Sequence, residues 1–360
     1  MCPERRREAA FAATLWALVA GIICLYLALF ALCAAGRLAS PVEEFTYGES
    51  WLLDGARRVA HGEGLYSPPD QIPIMHIAYT PLYYGLVGAL QRVVGDSGYT
   101  VGRVVSLGAT LVGAGAMAWS LKRLTTRWSF GLLAAGFFLT QNLTALLWAP
   151  LHRVDALALG LTLVGLALAT AGRPPMAAAL FVLALMTKQT FVAAPIAVAI
   201  TLWPCKKELY RFGAIVVGGA GVGLVVAQWL THGWFLWHTV TANRNEPDMV
   251  TFASLMGSFL QYNGLPVMAA LASFALPAAR GERLWGIYFL GCVLSLPSLA
   301  KLGASSNYWL ELSAPLAAVL ALASAQLTAW PRLRLIAPSV LVLRFAPWPI
   351  IVTTGRPGAG

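Results

Sequence analysis

The residues of this chain that can do aqueous chemistry are few, and they sit in short polar intervals. Glu43 and Glu44 form an adjacent carboxylate pair at the head of a polar, aromatic-bearing stretch over 41–81. Arg153 and Asp155, Lys188 and Gln189, the polar group from Asn243 to Asp248 with Arg244, and Lys301, Asn307 and Glu311 follow. A carboxylate within hydrogen-bond reach of a hydroxyl can take its proton during attack on carbon. An acidic pair can also help hold a hard cation such as Mg²⁺ or Mn²⁺. Fixed cations stabilise a departing phosphate, Arg through two parallel hydrogen bonds. Each of these groups also has a plain structural reading. Glu43 and Glu44 suit a solvated loop start, Asp155 a helix N-terminus favoured by the dipole, with Arg153 its local partner. Lys188 suits a turn between helices, and Lys301, Asn307 and Glu311 suit helix-start polarity with snorkelling. His61 and His76 share the 41–81 stretch without the tight His/Cys/Asp spacing of a metal site, so no metal ligands are assigned.

The elements that must position these groups are hydrophobic. Of 360 residues, 58% are apolar and only 11% charged, with mean hydropathy +0.69; soluble domains carry roughly a quarter charged residues. The chain therefore reads as an integral-membrane protein. Its net charge of +10 is dispersed in short Lys/Arg clusters between apolar runs, which argues against a nucleic-acid face. Five cysteines at unrelated spacings give neither a disulfide framework nor a metal motif.

Apolar runs at 11–34, 79–94, 101–121, 128–148, 155–172, 175–187, 189–204, 212–231, 264–279, 284–300, 308–328 and 335–352 are span candidates. Backbone groups in a bilayer must be satisfied internally, so each is expected to be helical. The fold class is an all-α polytopic bundle, a single integral-membrane domain over 1–360. The first run is too long for a signal-peptide core and is expected to remain as helix one. Placing the Lys/Arg clusters in the cytoplasm puts the N-terminus there. It leaves 35–78 and 231–263 as two extracytoplasmic loops and predicts about 11 crossings, or about 12 if 79–94 crosses fully. Periodicity over 49–61 predicts a short surface helix, and Trp234, Phe235 and Trp237 read as interfacial aromatics. The Asn142-Leu143-Thr144 sequon lies inside an apolar run, and the last nine residues are expected to be a disordered tail. On this topology the polar groups of the opening paragraph converge on one membrane face. A charge at mid-membrane costs roughly 2.5–3.5 kcal/mol on insertion scales, so that convergence marks a site.

An outer loop with an acidic pair after helix one, a surface helix, and a Tyr-Thr-Pro-Leu-Tyr-Tyr return at 79–84 resemble the membrane-embedded glycosyltransferases of the GT-C fold. Arg-Val-Asp-Ala-Leu-Ala-Leu at 153–159, Leu-Met-Thr-Lys-Gln-Thr at 185–190 and Lys-Leu-Gly-Ala-Ser-Ser-Asn-Tyr-Trp-Leu-Glu-Leu at 301–312 are similar to motifs of bacterial members. These members are related to protein O-mannosyltransferases and lipid A aminoarabinose transferases, of the family 39 or 87 type. The resemblance implies a transferase of a bacterial inner membrane that takes a sugar from a polyprenyl-phosphate donor on the extracytoplasmic face. The acceptor would be a lipid, glycan or protein. It also implies that the first-loop acid acts on the acceptor or helps organise a metal. The matching positions are Glu43 and Glu44, where relatives commonly carry Asp-Glu or Asp-Asp; Glu44 is favoured because the surface helix would fix it, with Asp155 as second carboxylate. Arg153, Lys188 and Lys301 would bind the lipid phosphate. Gln189, His76, Tyr79, Asn307, Glu311 and Arg244 would contact substrate. The alternative class is a non-enzymatic carrier or flippase of a lipid-linked sugar or small solute, although the matching halves typical of secondary transporters are not visible.

Overall fold

A computed structural model of the chain describes residues 3–46, 48–70, 76–141, 145–330 and 333–344. The sequon at 142–144 and the C-terminal tail lie outside the described residues. Regular structure among the described residues is helical, apart from one isolated antiparallel bridge between Pro247 and Lys301. The all-α class follows from the lack of any backbone partner in hydrocarbon except the helix itself.

The order begins with α1 (Pro3–Leu38), α2 (Glu49–His61), α3 (Leu82–Val94), α4 (Thr100–Thr125) and α5 (Trp128–Leu139). The short turn α6 (Ala145–Trp148) precedes α7 (Val154–Thr170), α8 (Pro174–Thr187), α9 (Ala193–Leu202) and α10 (Lys206–Leu230). Then come the three-residue α11 (Trp234–Leu236), α12 (Met249–Ala272), α13 (Arg280–Leu294), α14 (Trp309–Thr328) and α15 (Ile336–Arg344). Among the described residues, five helical stretches are long and apolar enough to cross a membrane: 6–38, 100–125, 206–230, 281–300 and 306–328. The apolar helices α5, α7, α8 and α9 have 10–17 residues, against about 20 needed for a full span. The chain breaks where they end. Lys188 at the end of α8 and Arg153 before α7 both take extended backbone, so charged residues stand at interruptions in the helical framework.

The predicted helix over 49–61 forms as α2, bounded by Gly48 and Gly62, both in the left-handed region. Its apolar face is not free to lie on a membrane surface: Leu52 and Ala56 are buried in a small core with Tyr83, Tyr84 and Val87 of α3. The 79–94 run gives α3 only 13 residues, about 20 Å of helix. It pairs with α2 instead, with Arg92 donating to the Ala60 and Val59 carbonyls at 2.7 and 3.2 Å. The expected second loop over 231–263 differs more. Trp234–Thr241 is helical, ending in a π-helical turn, and α12 starts at Met249. The Asp248 side chain accepts from the Val250 and Thr251 N–H groups. That cap fixes the start of the helix, and the segment behind it carries Val250, Phe252, Leu255, Met256, Phe259 and Leu260, so the helix is apolar from its first turn.

The main core is built by close approach of small residues. A Cβ on Gly160 of α7 would lie 2.5 Å from the Ala109 carbonyl of α4, and one on Gly113 would lie 3.1 Å from the Gly160 Cα. Without a hydrophobic drive between helices in lipid, such backbone contact is what packs them. Gly160→Val is therefore expected to lower stability by about 1–3 kcal/mol through overpacking. Thermal unfolding of the detergent-solubilised variant measures this, and an unchanged midpoint would mean that α4 and α7 are not in backbone contact.

Candidate active site

The 41–81 stretch is tied to the bundle by a residue inside the fourth helix. Arg103 of α4 is fully buried, and all five of its N–H donors are used. Nε and one Nη donate to the two Glu49 oxygens at 3.0 and 2.9 Å. The others reach the carbonyls of Arg37, Ser40 and Glu43 at 2.8, 2.8 and 2.6 Å. The guanidinium lies between the Phe45 and Tyr99 rings, 4.8 Å from each centroid. Glu49 also accepts from the backbone N–H of Phe45 (3.0 Å) and of His152 (2.7 Å). Burial by itself raises a carboxyl pKa, yet the Arg103 hydrogen bonds and these two amides outweigh it and hold Glu49 below its ordinary value.

Glu43 and Glu44, the pair singled out in the sequence, are exposed. Glu44 Oε1 accepts from the N–H of Gly48, the N–H of Ser50 and the Ser50 hydroxyl, each at 3.1 Å, which caps the start of α2. That oxygen is thus engaged by the backbone and side chain that open α2. Among the described residues no group of three or more His, Cys, Asp or Glu side chains is arranged to hold a metal ion.

The other predicted residues gather at the helix breaks. Asp155, in the first turn of α7, is buried, and its Oδ1 accepts from Lys188 Nζ at 2.6 Å and from Asn307 Nδ2 at 2.9 Å. Its Oδ2 lies 3.6 Å from Arg153 Nε. Lys188 is thus paired and faces the rings of Tyr79, Phe191 and Tyr308. Arg153 stacks 5.5 Å from the Trp148 ring and reaches Gly48, where a Cβ would lie 2.5 Å from its Nη1. Ser106 of α4 holds the Arg153 carbonyl at 3.0 Å. Gln189 donates to the Ala78 carbonyl at 2.9 Å, and Lys301 donates to Asn243 Oδ1. Burial and the nearby Lys188 charge lower the Lys301 pKa. His76 Nε2–H donates to the His238 carbonyl at 2.9 Å.

These groups surround a cavity of about 600 Å³. Its wall includes Trp51, His76, Tyr79, Trp148, Arg153, Asn243, Lys301 and Asn307, with Gly48 at the first-loop side. Two cations and no carboxylate line it among the described residues. Asp155 and Lys188 stand behind the wall, and Glu44 is one hydrogen bond from Gly48. Glu311 accepts from the Tyr288 hydroxyl at 3.3 Å and lines a separate cavity of about 40 Å³ with Lys188, Asn307 and Tyr308. Arg244 is exposed and off the wall. Glu49, Arg103 and His238 were not anticipated. A signal existed for Arg103, since an arginine inside the apolar run 101–121 needs a buried partner.

Removing one partner of a buried pair strands the other charge and costs about 3–5 kcal/mol, so Glu49→Ala should unfold far more readily than Glu44→Ala. Because the Glu49 pKa is depressed, its stabilisation is complete at neutral pH and is lost as pH falls below about 4. Thermal midpoints should show an acid-dependent step in the wild type that Glu49→Gln lacks; equal acid profiles would remove the pair from this role.

No family model matches the chain, and no curated protein matches it. Solved structures similar to it include ArnT from Cupriavidus metallidurans bound to undecaprenyl phosphate, with TM-score 0.61 and 15% identity over 84% of this chain and 60% of that one. ArnT from the same organism in the apo state gives TM-score 0.61 and 15% identity over 87% and 62%. The chain thus spans about 60% of the length of the structures it matches. The likeness is one of architecture: the chain has the helical membrane fold of ArnT, the GT-C fold.

Proposed function

We propose that the protein is a glycosyltransferase that moves a sugar from a polyprenyl-phosphate donor to an acceptor at the extracytoplasmic face of a bacterial inner membrane. The observation that carries this reading is the cavity, whose wall presents Arg153 and Lys301 and no carboxylate among the described residues. Such a wall favours an anionic ligand. The ArnT structure of the same fold was solved with undecaprenyl phosphate, which supports a lipid phosphate as that anion. The Lys/Arg bias of the connecting segments supports the extracytoplasmic placement.

In this reading an acceptor oxygen attacks the anomeric carbon, the bond from that carbon to the phosphate oxygen breaks, and polyprenyl phosphate leaves with the bonding pair. Arg153 and Lys301 neutralise the charge that develops on the leaving oxygen. Asp155 acts through Arg153, since its own oxygens already face Lys188, Asn307 and Arg153; Lys188 offsets its charge. Asn243 aims Lys301. Tyr79, Asn307, Trp51 and Trp148 present flat or hydrogen-bonding surface to the sugar. Glu44 shapes the rim by capping α2, and Glu43 stands beside it.

Removal of one preorganised donor to a developing oxyanion costs about 10²–10³ in kcat. Arg153→Gln and Lys301→Gln should each show a loss of that order when release of undecaprenyl phosphate is followed in nanodiscs supplied with a panel of polyprenyl-phosphate sugars. A wild-type protein that turns over no donor, under conditions where ArnT does, would sink the transferase reading. Full activity of Arg153→Gln would remove the phosphate from this wall.

A further inference from the structure

The cavity wall lacks a carboxylate among the described residues, yet an attacking hydroxyl must lose its proton. The wall carries one imidazole among the described residues, that of His76, and a neutral imidazole nitrogen can accept a proton. Its tautomer is set by its surroundings. Nε2 lies 2.9 Å from the His238 carbonyl oxygen, an acceptor only, so Nε2 carries the hydrogen and Nδ1 carries the lone pair. Among the described residues none is hydrogen-bonded to that Nδ1, and His76 lines the cavity.

The carbonyl that fixes His76 is itself held by a second histidine. His238 is buried, and its Nδ1 accepts from the Ile77 N–H at 3.1 Å. Its Nε2–H donates to the Ser67 carbonyl at 2.8 Å. It is thereby the neutral Nε2–H form, and burial, reinforced by the nearby His76 ring, lowers its pKa. The two rings stack at 6.0 Å with 14° between planes. Tyr66 and Trp237 pack against His238, and Phe235 packs edge-on against Tyr66. One side chain thus joins residue 67, residue 77 and the π-helical turn that carries the carbonyl gripping His76. The charged and titratable groups on the wall around His76 are Arg153, Lys301, Tyr79, Tyr84 and Tyr308, with His238 stacked against it.

We propose that His76 takes the proton from the acceptor on its Nδ1, that His238 is the positioning residue which fixes its tautomer, and that the acceptor is therefore an alcohol. This rests on the transferase reading above. The hydroxyl oxygen forms the new bond to the anomeric carbon and the hydroxyl proton passes to Nδ1. The bonding pair leaves with polyprenyl phosphate, and the imidazolium returns its proton to solvent. Glu44, with one oxygen accepting three hydrogen bonds, keeps its capping role. A phosphomonoester acceptor is already ionised at neutral pH and would need no such base.

Two measurements test this. The first is solid-state NMR of ¹⁵N-histidine-labelled protein in nanodiscs, with His76→Gln used to assign the ring. A neutral Nε2–H form of His76 that is lost in His238→Phe is expected; an Nδ1–H form overturns the proposal without any assay of transfer. The second compares acceptors, a glycolipid alcohol and its phosphomonoester, with a donor that the wild type turns over. His76→Gln should lose about 10²–10⁴ in kcat with the alcohol, with donor KM little changed and the acid limb of the kcat profile gone. His238→Asn, which keeps an acceptor for Ile77, should lose less than His238→Phe. An active wild type alongside an equally active His76→Gln overturns the assignment of the base alone, and a wild type that transfers only to the phosphomonoester overturns the alcohol.

Discussion

A guanidinium has five N–H donors, and burying one away from water is tolerable only when each donor finds an acceptor. Arg103 meets that requirement by drawing the end of α1, the 40–43 turn and Glu49 onto α4. Glu49 in turn engages Phe45 and His152, so the first loop and the segment before α7 are held by the same carboxylate. The position of Gly48, and through it of Arg153, follows from this one buried pair. Arg103 and Glu49 are both fully buried in protein, out of reach of water that could satisfy such groups, which is why the network is closed.

The second constraint is the way the helices are interrupted. Arg153 and Lys188 stand where backbone is extended instead of helical, and Asp155 and Asn307 stand at the starts of α7 and α14. Broken helices free polar groups and let side chains from different segments converge. The product is a charged cluster whose buried part, Asp155 with Lys188, is nearly self-compensating, while Arg153 and Lys301 line the cavity. Positive potential at the wall is then a property of geometry, because no carboxylate among the described residues lines the cavity and Asp155 is engaged with Lys188 and Asn307.

The cavity is closed on its other side by contacts between distant loops. The Asp248 N–H donates to the Ala300 carbonyl at 2.5 Å and the Leu302 N–H to the Glu246 carbonyl at 3.1 Å, and Asn245 reaches the Leu302 carbonyl at 2.9 Å. These bonds hold Lys301 beside Asn243, while His238 and Gln189 hold residues 77 and 78. Tyr66, with its hydroxyl on the Tyr79 carbonyl, completes the frame. The wall is therefore preorganised by backbone carbonyls more than by side-chain pairs, and this suits charge stabilisation without reorganisation.

Composition and hydropathy by themselves determined the all-α membrane class, because apolar length and internal hydrogen bonding are local properties of the chain. The limits of α2 were legible from periodicity and its flanking glycines, and the polar groups near 153, 188 and 301 were legible as charges that an apolar chain would not keep idly. Which of them touch was decided by tertiary structure. Asp155 meets Asn307 across 152 positions, and His238 meets Ile77 across 161; no periodicity encodes a partner so far away. The same reason explains the carboxylates: Glu43 and Glu44 are conspicuous in sequence as a pair, but Glu49, six residues on, is the one that Arg103 reaches across 54 positions.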